Sequence, residues 1–278
     1  MMHQTPVCRQ IILLGAGRVA QHLGPALWRA GHRVTHIWSR TAEAAQALAD
    51  AVPGAVPTTS LALHSLPTPD LYILSVPDGA VAQVLAAATL PPRALVVHTA
   101  GALPLAVFEA WPAVRGGVLY PLQTFSAGRL IDWSTVPLCV EAAQPADQTL
   151  LLEVAQSLSQ LVETVATPQR QALHVAAVFA CNFTNHLFGV GYALMQQAGL
   201  PFTLLEPLIR ETVQKALAQP PFTVQTGPAA RHDTATLERH QALLHQHPTW
   251  LAIYNQLTAS IQEQQTVGAP NNHGRLSL

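Results

Sequence analysis

Four aliphatic residues, Ile11-Ile12-Leu13-Leu14, run straight into Gly15-Ala16-Gly17-Arg18-Val19-Ala20, and this junction constrains the fold more than any other stretch. An unbroken aliphatic run of that length is the pattern of a strand buried on both faces, and Val19 to Ala30 has the pattern of the helix that follows. The turn between them carries Gly-x-Gly-x-x-Ala, the dinucleotide fingerprint. Gly15 permits the tight turn, Gly17 lets the backbone approach a pyrophosphate, and Ala20 lets the helix pack closely on the strand. Free N–H groups at the helix start add partial positive charge for the phosphates. Alone the spacing occurs by chance. The strand before it and the helix after it make it informative.

The rest of the chain repeats this alternation. Arg33 to Trp38 predicts a second strand ending in Ser39-Arg40-Thr41, followed by a helix over Ala42 to Ala51. Where a dinucleotide fold meets the adenosine ribose, a carboxylate accepts from the 2′-hydroxyl, whereas Arg accommodates a 2′-phosphate. Ser39, Arg40 and Thr41 offer donors and a positive charge and no carboxylate, which points to NADP, with NAD as the lesser alternative; the plain reading is that Arg40 only begins a surface helix. Val56 marks a short third strand. Leu71 to Val76 is a fourth, closed by Pro77-Asp78-Gly79 before a helix over Ala80 to Ala88. Ala94 to Val97 is a fifth, ending in His98-Thr99-Ala100-Gly101, and Gly117 to Tyr120 is a sixth. Val136 to Glu141 and Val162 to Val165 flank a helix over Ala146 to Leu161. The expected fold is α/β, a Rossmann-type, mostly parallel sheet with helical crossovers.

At Thr167-Pro168 the alternation stops, and an all-helical part is expected from there on. The domains are therefore placed at 1–166, binding a dinucleotide, and 167–278, helical, for substrate or dimerisation. Gln169 to Gln197 predicts one long helix, Leu204 to Leu217 a second with Thr203 as a candidate cap and Glu206–Arg210 and Glu211–Lys215 pairs at i, i+4. Asp233 or Thr234 caps a third to about His245, and Pro248 starts a fourth to about Gln265; Gly268 to Leu278 is expected to fray. Ala172 to Met195 holds no Asp, Glu, Lys or Arg and is long enough for a membrane span. His174, Asn182, Asn185 and His186 interrupt it, so a central helix buried in a helical domain is expected instead.

Composition narrows the partners. Charged residues are 10% of 278 and the formal net charge is −1, with no cluster of cations, which argues against nucleic acid or an anionic membrane surface. Cys8, Cys139 and Cys181 form no Cys-x-x-Cys, and reduced thiols in a cytoplasmic protein with no signal peptide are expected. His232, His240, His245 and His247 lack metal-ligand spacing and are read as surface residues, so no metal site is expected. Neither Gly-x-Ser-x-Gly nor a P-loop is present, which gives acyl and phosphoryl transfer no support.

Four turns therefore converge at the carboxyl edge of the sheet. Gly15 to Ala20 and Ser39 to Thr41 suit the adenosine diphosphate end of a cofactor; Val76, Pro77 and Asp78 with Thr99 suit the nicotinamide end. His98 is a candidate proton donor there, or a residue that only caps its strand end. On the long helix His174, Asn182 and Asn185 fall within about 80° of one another at 100° per residue, facing a cleft and a small-molecule substrate or satisfying one another. Arg231 is a candidate for a substrate carboxylate or a partner for Asp233 or Glu238.

Several segments carry a resemblance: the glycine turn, His98 to Gly101, Tyr120-Pro121-Leu122-Gln123-Thr124-Phe125, His174 through Asn185, Leu205 to Thr212, and Gln225-Thr226-Gly227-Pro228-Ala229-Ala230-Arg231-His232-Asp233. Over nearly its full length the chain resembles Rossmann-like oxidoreductases with a C-terminal helical domain of unknown function, the 2520 type. The resemblance implies an NADP-binding domain similar to those of pyrroline-5-carboxylate reductase and the F420-dependent NADP reductases, with F420 itself a remote alternative, and a helical domain that forms a homodimer. It implies no substrate. β-Hydroxyacid dehydrogenases share the plan and place a catalytic Lys one turn before an Asn on the long helix. Here Val178 stands four before Asn182, so His174, His98 or water must supply a proton. The reading is an oxidoreductase acting on a small polar substrate; the alternative is a dinucleotide sensor without hydride chemistry.

Overall fold

The computed structural model describes residues 7–267; Gly268 to Leu278 lie outside the described residues. Two compact units divide between Phe183 and Thr184.

The first unit is built on an eight-stranded sheet in the order β3-β2-β1-β4-β5-β6-β7-β8. Its strands are β1 (Gln10–Leu14), β2 (Arg33–Trp38), β3 (Val56–Thr58), β4 (Leu71–Leu74), β5 (Leu95–His98), β6 (Arg115–Pro121), β7 (Leu138–Ala142) and β8 (Val162–Thr164). All neighbours pair in parallel except β6 and β7, which run antiparallel with Tyr120 opposite Cys139. The connecting helices are α1 (Arg18–Arg29), α2 (Ala42–Asp50), α3 (Val81–Ala87) and α4 (Pro145–Leu158).

The aliphatic run at the start is explained by what covers the sheet. Ile11 and Leu13 join one apolar cluster with residues of α1, α2 and α4, while Ile12 and Leu14 join another with residues of α3 on the opposite face. Both faces are dry, so every β1 side chain from Ile11 to Leu14 must be apolar. The mostly parallel Rossmann-type sheet is as expected.

The long helix departs from expectation in two ways. From Thr167 to Gln197 the chain is helical, but α5 (Thr167–Ala177) passes through a π-helical segment, Val178–Phe183, before α6 (Thr184–Gln197). It is also not a buried helix. None of its most apolar 18-residue window is buried, and by length and composition it could cross a membrane. Arg170 is the exception, with no exposed surface at all.

In the second unit α7 (Glu206–Ala218), α8 (Thr234–Leu243) and α9 (Pro248–Val267) follow α6. Asp233 is the cap of α8, accepting from the Thr236 N–H at 3.1 Å. Thr203 does not cap α7, because a 3₁₀ turn over Phe202–Leu205 leads directly into it. Neither i, i+4 pair expected on α7 is among the ion pairs of the described residues. His240 bonds to the Tyr254 hydroxyl at 2.9 Å, and His247 stacks on Trp250. These two histidines brace the unit from within.

Candidate active site

The glycine turn has one face filled and one open. Gly15 has φ +124°, and a Cβ there would stand 2.4 Å from the Ser75 carbonyl oxygen, so any side chain is excluded twice. At Gly17 a Cβ would meet only that same oxygen, at 3.8 Å. Nothing within the fold demands glycine at 17, which is what close approach by a ligand would demand. Gly17 is the N-cap of α1 and has no side-chain cap bond, and the first turn has no acidic residue. The N–H groups of Arg18, Val19 and Ala20 are thereby left for an anion, with Ala16 leading into them. Ala20 is fully buried against the sheet. The turn fits a pyrophosphate.

At the end of β2, Thr41 caps α2, its hydroxyl accepting from the Ala44 N–H at 3.4 Å. Thr41 therefore has a role in the chain itself. Ser39 donates its backbone N–H to the Thr58 carbonyl, and Arg40 is exposed. Arg40 stands exposed directly after the end of β2, between Ser39 and Thr41.

Contacts run from the glycine turn across the carboxyl edge. Ser75 and Val76, which crowd Gly15, follow β4 and lead into Pro77 and the exposed Asp78. The buried Thr99 hydroxyl donates to the Leu74 carbonyl at 3.4 Å and lies 3.5 Å from the Ser75 hydroxyl. Thr99 thereby ties two turns together, its proton committed to the chain and its oxygen still able to accept. His98 is fully buried. Its Nδ1 accepts from the Ala100 N–H at 3.2 Å, and its ring stacks on Phe108. Its Nε2 is buried facing the Pro104 carbonyl without a hydrogen bond of good geometry. Burial, helped by the Arg170 charge, brings its pKa down to about 4. The bond to Ala100 is that of the strand-end cap of the two readings, made by an enclosed ring whose Nε2 does not face solvent.

Beyond His98 the turn meets two rings. A Cβ on Gly101 would fall 2.5 Å from His174 Nδ1 and 2.8 Å from the Tyr120 ring, so the imidazole and phenol pack directly on its backbone. The Tyr120 hydroxyl and His174 Nδ1 are 3.0 Å apart, with the rings edge to face. Burial, and next the neighbouring Cys139 and Asp78, push the Tyr120 phenol up to about 12, so it holds its proton at neutral pH. When such a phenol donates to Nδ1, the proton of a neutral imidazole is on Nε2. His174 is half-buried. The pair stands at the carboxyl end of β6.

The expected stripe of His174, Asn182 and Asn185 is not realised as an unbroken α-helical face. Asn182 lies in the π-helical segment and Asn185 in α6 of the second unit, both exposed. A π turn takes about one residue more than an α turn, so a face projected at 100° per residue does not carry through Val178–Phe183. Tyr120 enters the sequence analysis only in the stretch that carries the resemblance and not as a candidate site residue. It ends an apolar strand, where an aromatic residue reads as core, and its partner is 54 residues away.

A mostly parallel sheet with an open glycine turn at its carboxyl edge defines a Rossmann-type fold. Residues 10–101 match the family described as NADP oxidoreductase, coenzyme F420-dependent, and residues 136–261 match the domain of unknown function DUF2520. A Bacteroides fragilis protein, provisionally described as an NADP oxidoreductase, is 40% identical over 92% of this chain and 98% of its own, with a TM-score of 0.84. The chain belongs to this family of Rossmann-type NADP oxidoreductases with a DUF2520 C-terminal part. Two more distant structures share the fold. One is the reductive aminase of Aspergillus terreus, solved with NADPH and ethyl levulinate (18% identity, 94% and 95% coverage, TM-score 0.67). The other is pyrroline-5-carboxylate reductase of Coxiella burnetii (14%, 94% and 98%, 0.55). No curated protein matches.

Proposed function

We propose that this protein is an NADP-dependent oxidoreductase that moves hydride to or from the carbon of a C=O or C=N group in a small polar substrate. The observation that carries the reading is the Tyr120–His174 pair, 3.0 Å apart and packed on Gly101, in line with the turns that suit a dinucleotide. A bound nicotinamide supplies or accepts the hydride. Gly17 and the start of α1 hold the pyrophosphate, and Arg40 the 2′-phosphate. In the reducing direction His174 gives its Nε2 proton to the substrate oxygen or nitrogen as the Tyr120 hydroxyl proton passes to Nδ1, so the imidazole stays neutral and the phenolate takes its proton back from water. His98 shapes the turn.

The test is incubation with NADPH and a panel of keto acids, aldehydes and imines while nicotinamide absorbance is followed, with reduced F420 and NADP run in parallel. Turnover is expected with NADPH at least ten-fold better than NADH. Arg40→Glu should narrow or reverse that ratio, and Tyr120→Phe should cut kcat by about 10²-fold while NADPH binding persists. A protein that binds NADPH and turns over nothing on the panel would be a sensor.

We also propose a homodimer through the helical part. Its support is the set of large apolar side chains exposed on the second unit, among them Phe188, Tyr192, Leu204, Leu208 and Leu217.

A further inference from the structure

Arg170 is the largest fully buried side chain of the described residues, an unusual place for a guanidinium. It is ion-paired with Glu141 of β7, donates to the Leu103 carbonyl at 2.6 Å and to the Thr167 hydroxyl at 3.3 Å. Thr167 extends the network. Its hydroxyl donates to Glu141 at 2.8 Å and accepts the Leu105 N–H at 3.1 Å, and its own N–H donates to Glu141 at 2.9 Å. One residue on, the Gln171 amide donates to the Ala102 carbonyl at 2.8 Å. The first turn of α5 is thus stitched both to β7 and to residues 102–105, the segment that follows Gly101.

A buried ion pair is a poor source of stability, because desolvation cancels most of its attraction, and apolar replacements of similar volume often do as well. What this pair has is position. Arg170 and His174 are four residues apart on α5, one turn along the same face. The stitches fix that face against the Gly101 segment, and the His174 ring must lie on Gly101 to reach Tyr120.

We propose that Arg170, with Glu141 and Thr167, is a positioning residue that holds His174 in register with Tyr120 and fixes the tautomer of its imidazole. The inference rests on the role proposed above for the Tyr120–His174 pair, but its test reads geometry and needs no substrate.

The experiment is ¹⁵N NMR of the histidine rings in the full chain, with His174 assigned from its loss in His174→Gln. In the unaltered protein, at a pH where the His174 ring is neutral, a single tautomer with the proton on Nε2 should be seen. Replacing the pair together by apolar residues, Arg170→Met with Glu141→Leu, should leave the Tm within a few degrees and NADPH affinity within about two-fold. The His174 signals should shift to the tautomer mixture of an unrestrained imidazole. If that variant does not fold, Thr167→Val removes the hydroxyl stitches while leaving the charges paired, and should shift the same signals in the same direction. A single unshifted tautomer in the folded double variant, or in Thr167→Val where only that one folds, overturns the proposal. Absence of turnover on the substrate panel with these NMR results intact would instead overturn the proposed reaction and leave the positioning role of Arg170 standing.

Discussion

At the scale of single residues, the two glycines of the first turn separate folding from binding. Gly15→Ala places a Cβ against a backbone carbonyl at a φ that alanine avoids, and should cost on the order of 2–4 kcal/mol in chemical denaturation. Gly17→Ala meets nothing closer than 3.8 Å and should leave stability unchanged while weakening NADPH binding by ten-fold or more in titration calorimetry. Equal losses of stability from both would sink the assignment of the open face. His98 makes a prediction about pH. Its folded pKa, brought down to about 4, lies below the ordinary 6.5 of an unfolded chain, so between those values the unfolded state binds more protons. Stability should therefore be fully present above pH 6.5 and fall as pH drops towards 4, by on the order of 3 kcal/mol from this residue. Burial also lowers His32 and His36, which adds to the same trend. Denaturation midpoints measured from pH 7 to 4 should show it, and His98→Asn, whose amide oxygen can still accept from Ala100, should flatten the slope. A slope unchanged in that variant would mean His98 is not the proton-linked group.

At the scale of elements, what the sequence made legible was set by the period of its apolar residues. β1 and β4 carry no polar interruption because both faces of the sheet are covered, and such runs announce themselves. The helix start after Gly17 was equally plain, since glycine spacing is a statement about backbone and needs no knowledge of the rest. The π-helical segment Val178–Phe183 was invisible. Its residues include no Gly or Pro, and nothing local distinguishes an i→i+5 turn from an α turn, so a projection at 100° per residue runs straight through it. Asn182 and Asn185 were chosen from that projection. The partners of α5 were invisible for a different reason. Arg170 meets Glu141 and Leu103 across gaps of 29 and 67 residues, and only the assembled sheet brings these together. Tyr120 and His174 belong to the same class. The sequence offered the imidazole, because a histidine among apolar residues stands out, and concealed the phenol.

At the scale of the whole molecule, an exposed apolar set on the second unit predicts assembly. Light scattering at micromolar concentration should give twice 29.7 kDa, and Phe188→Glu with Leu208→Glu should return the monomer mass. A monomer in the unaltered protein would remove the dimer from the reading. The antiparallel turn of β7 against β6 has a consequence of another kind. It reverses the chain, so that β8, parallel to β7, runs away from the carboxyl edge and α5 climbs back to it with His174. Everything suited to gripping a dinucleotide lies before that reversal, within residues 10–101, where one family model matches. Tyr120 lies beyond that match, and His174 falls within the match to DUF2520. On the proposed function, gripping and reacting fall on separate stretches of chain, so that substitutions beyond residue 101 would change what is reduced while leaving the grip on the dinucleotide as it is.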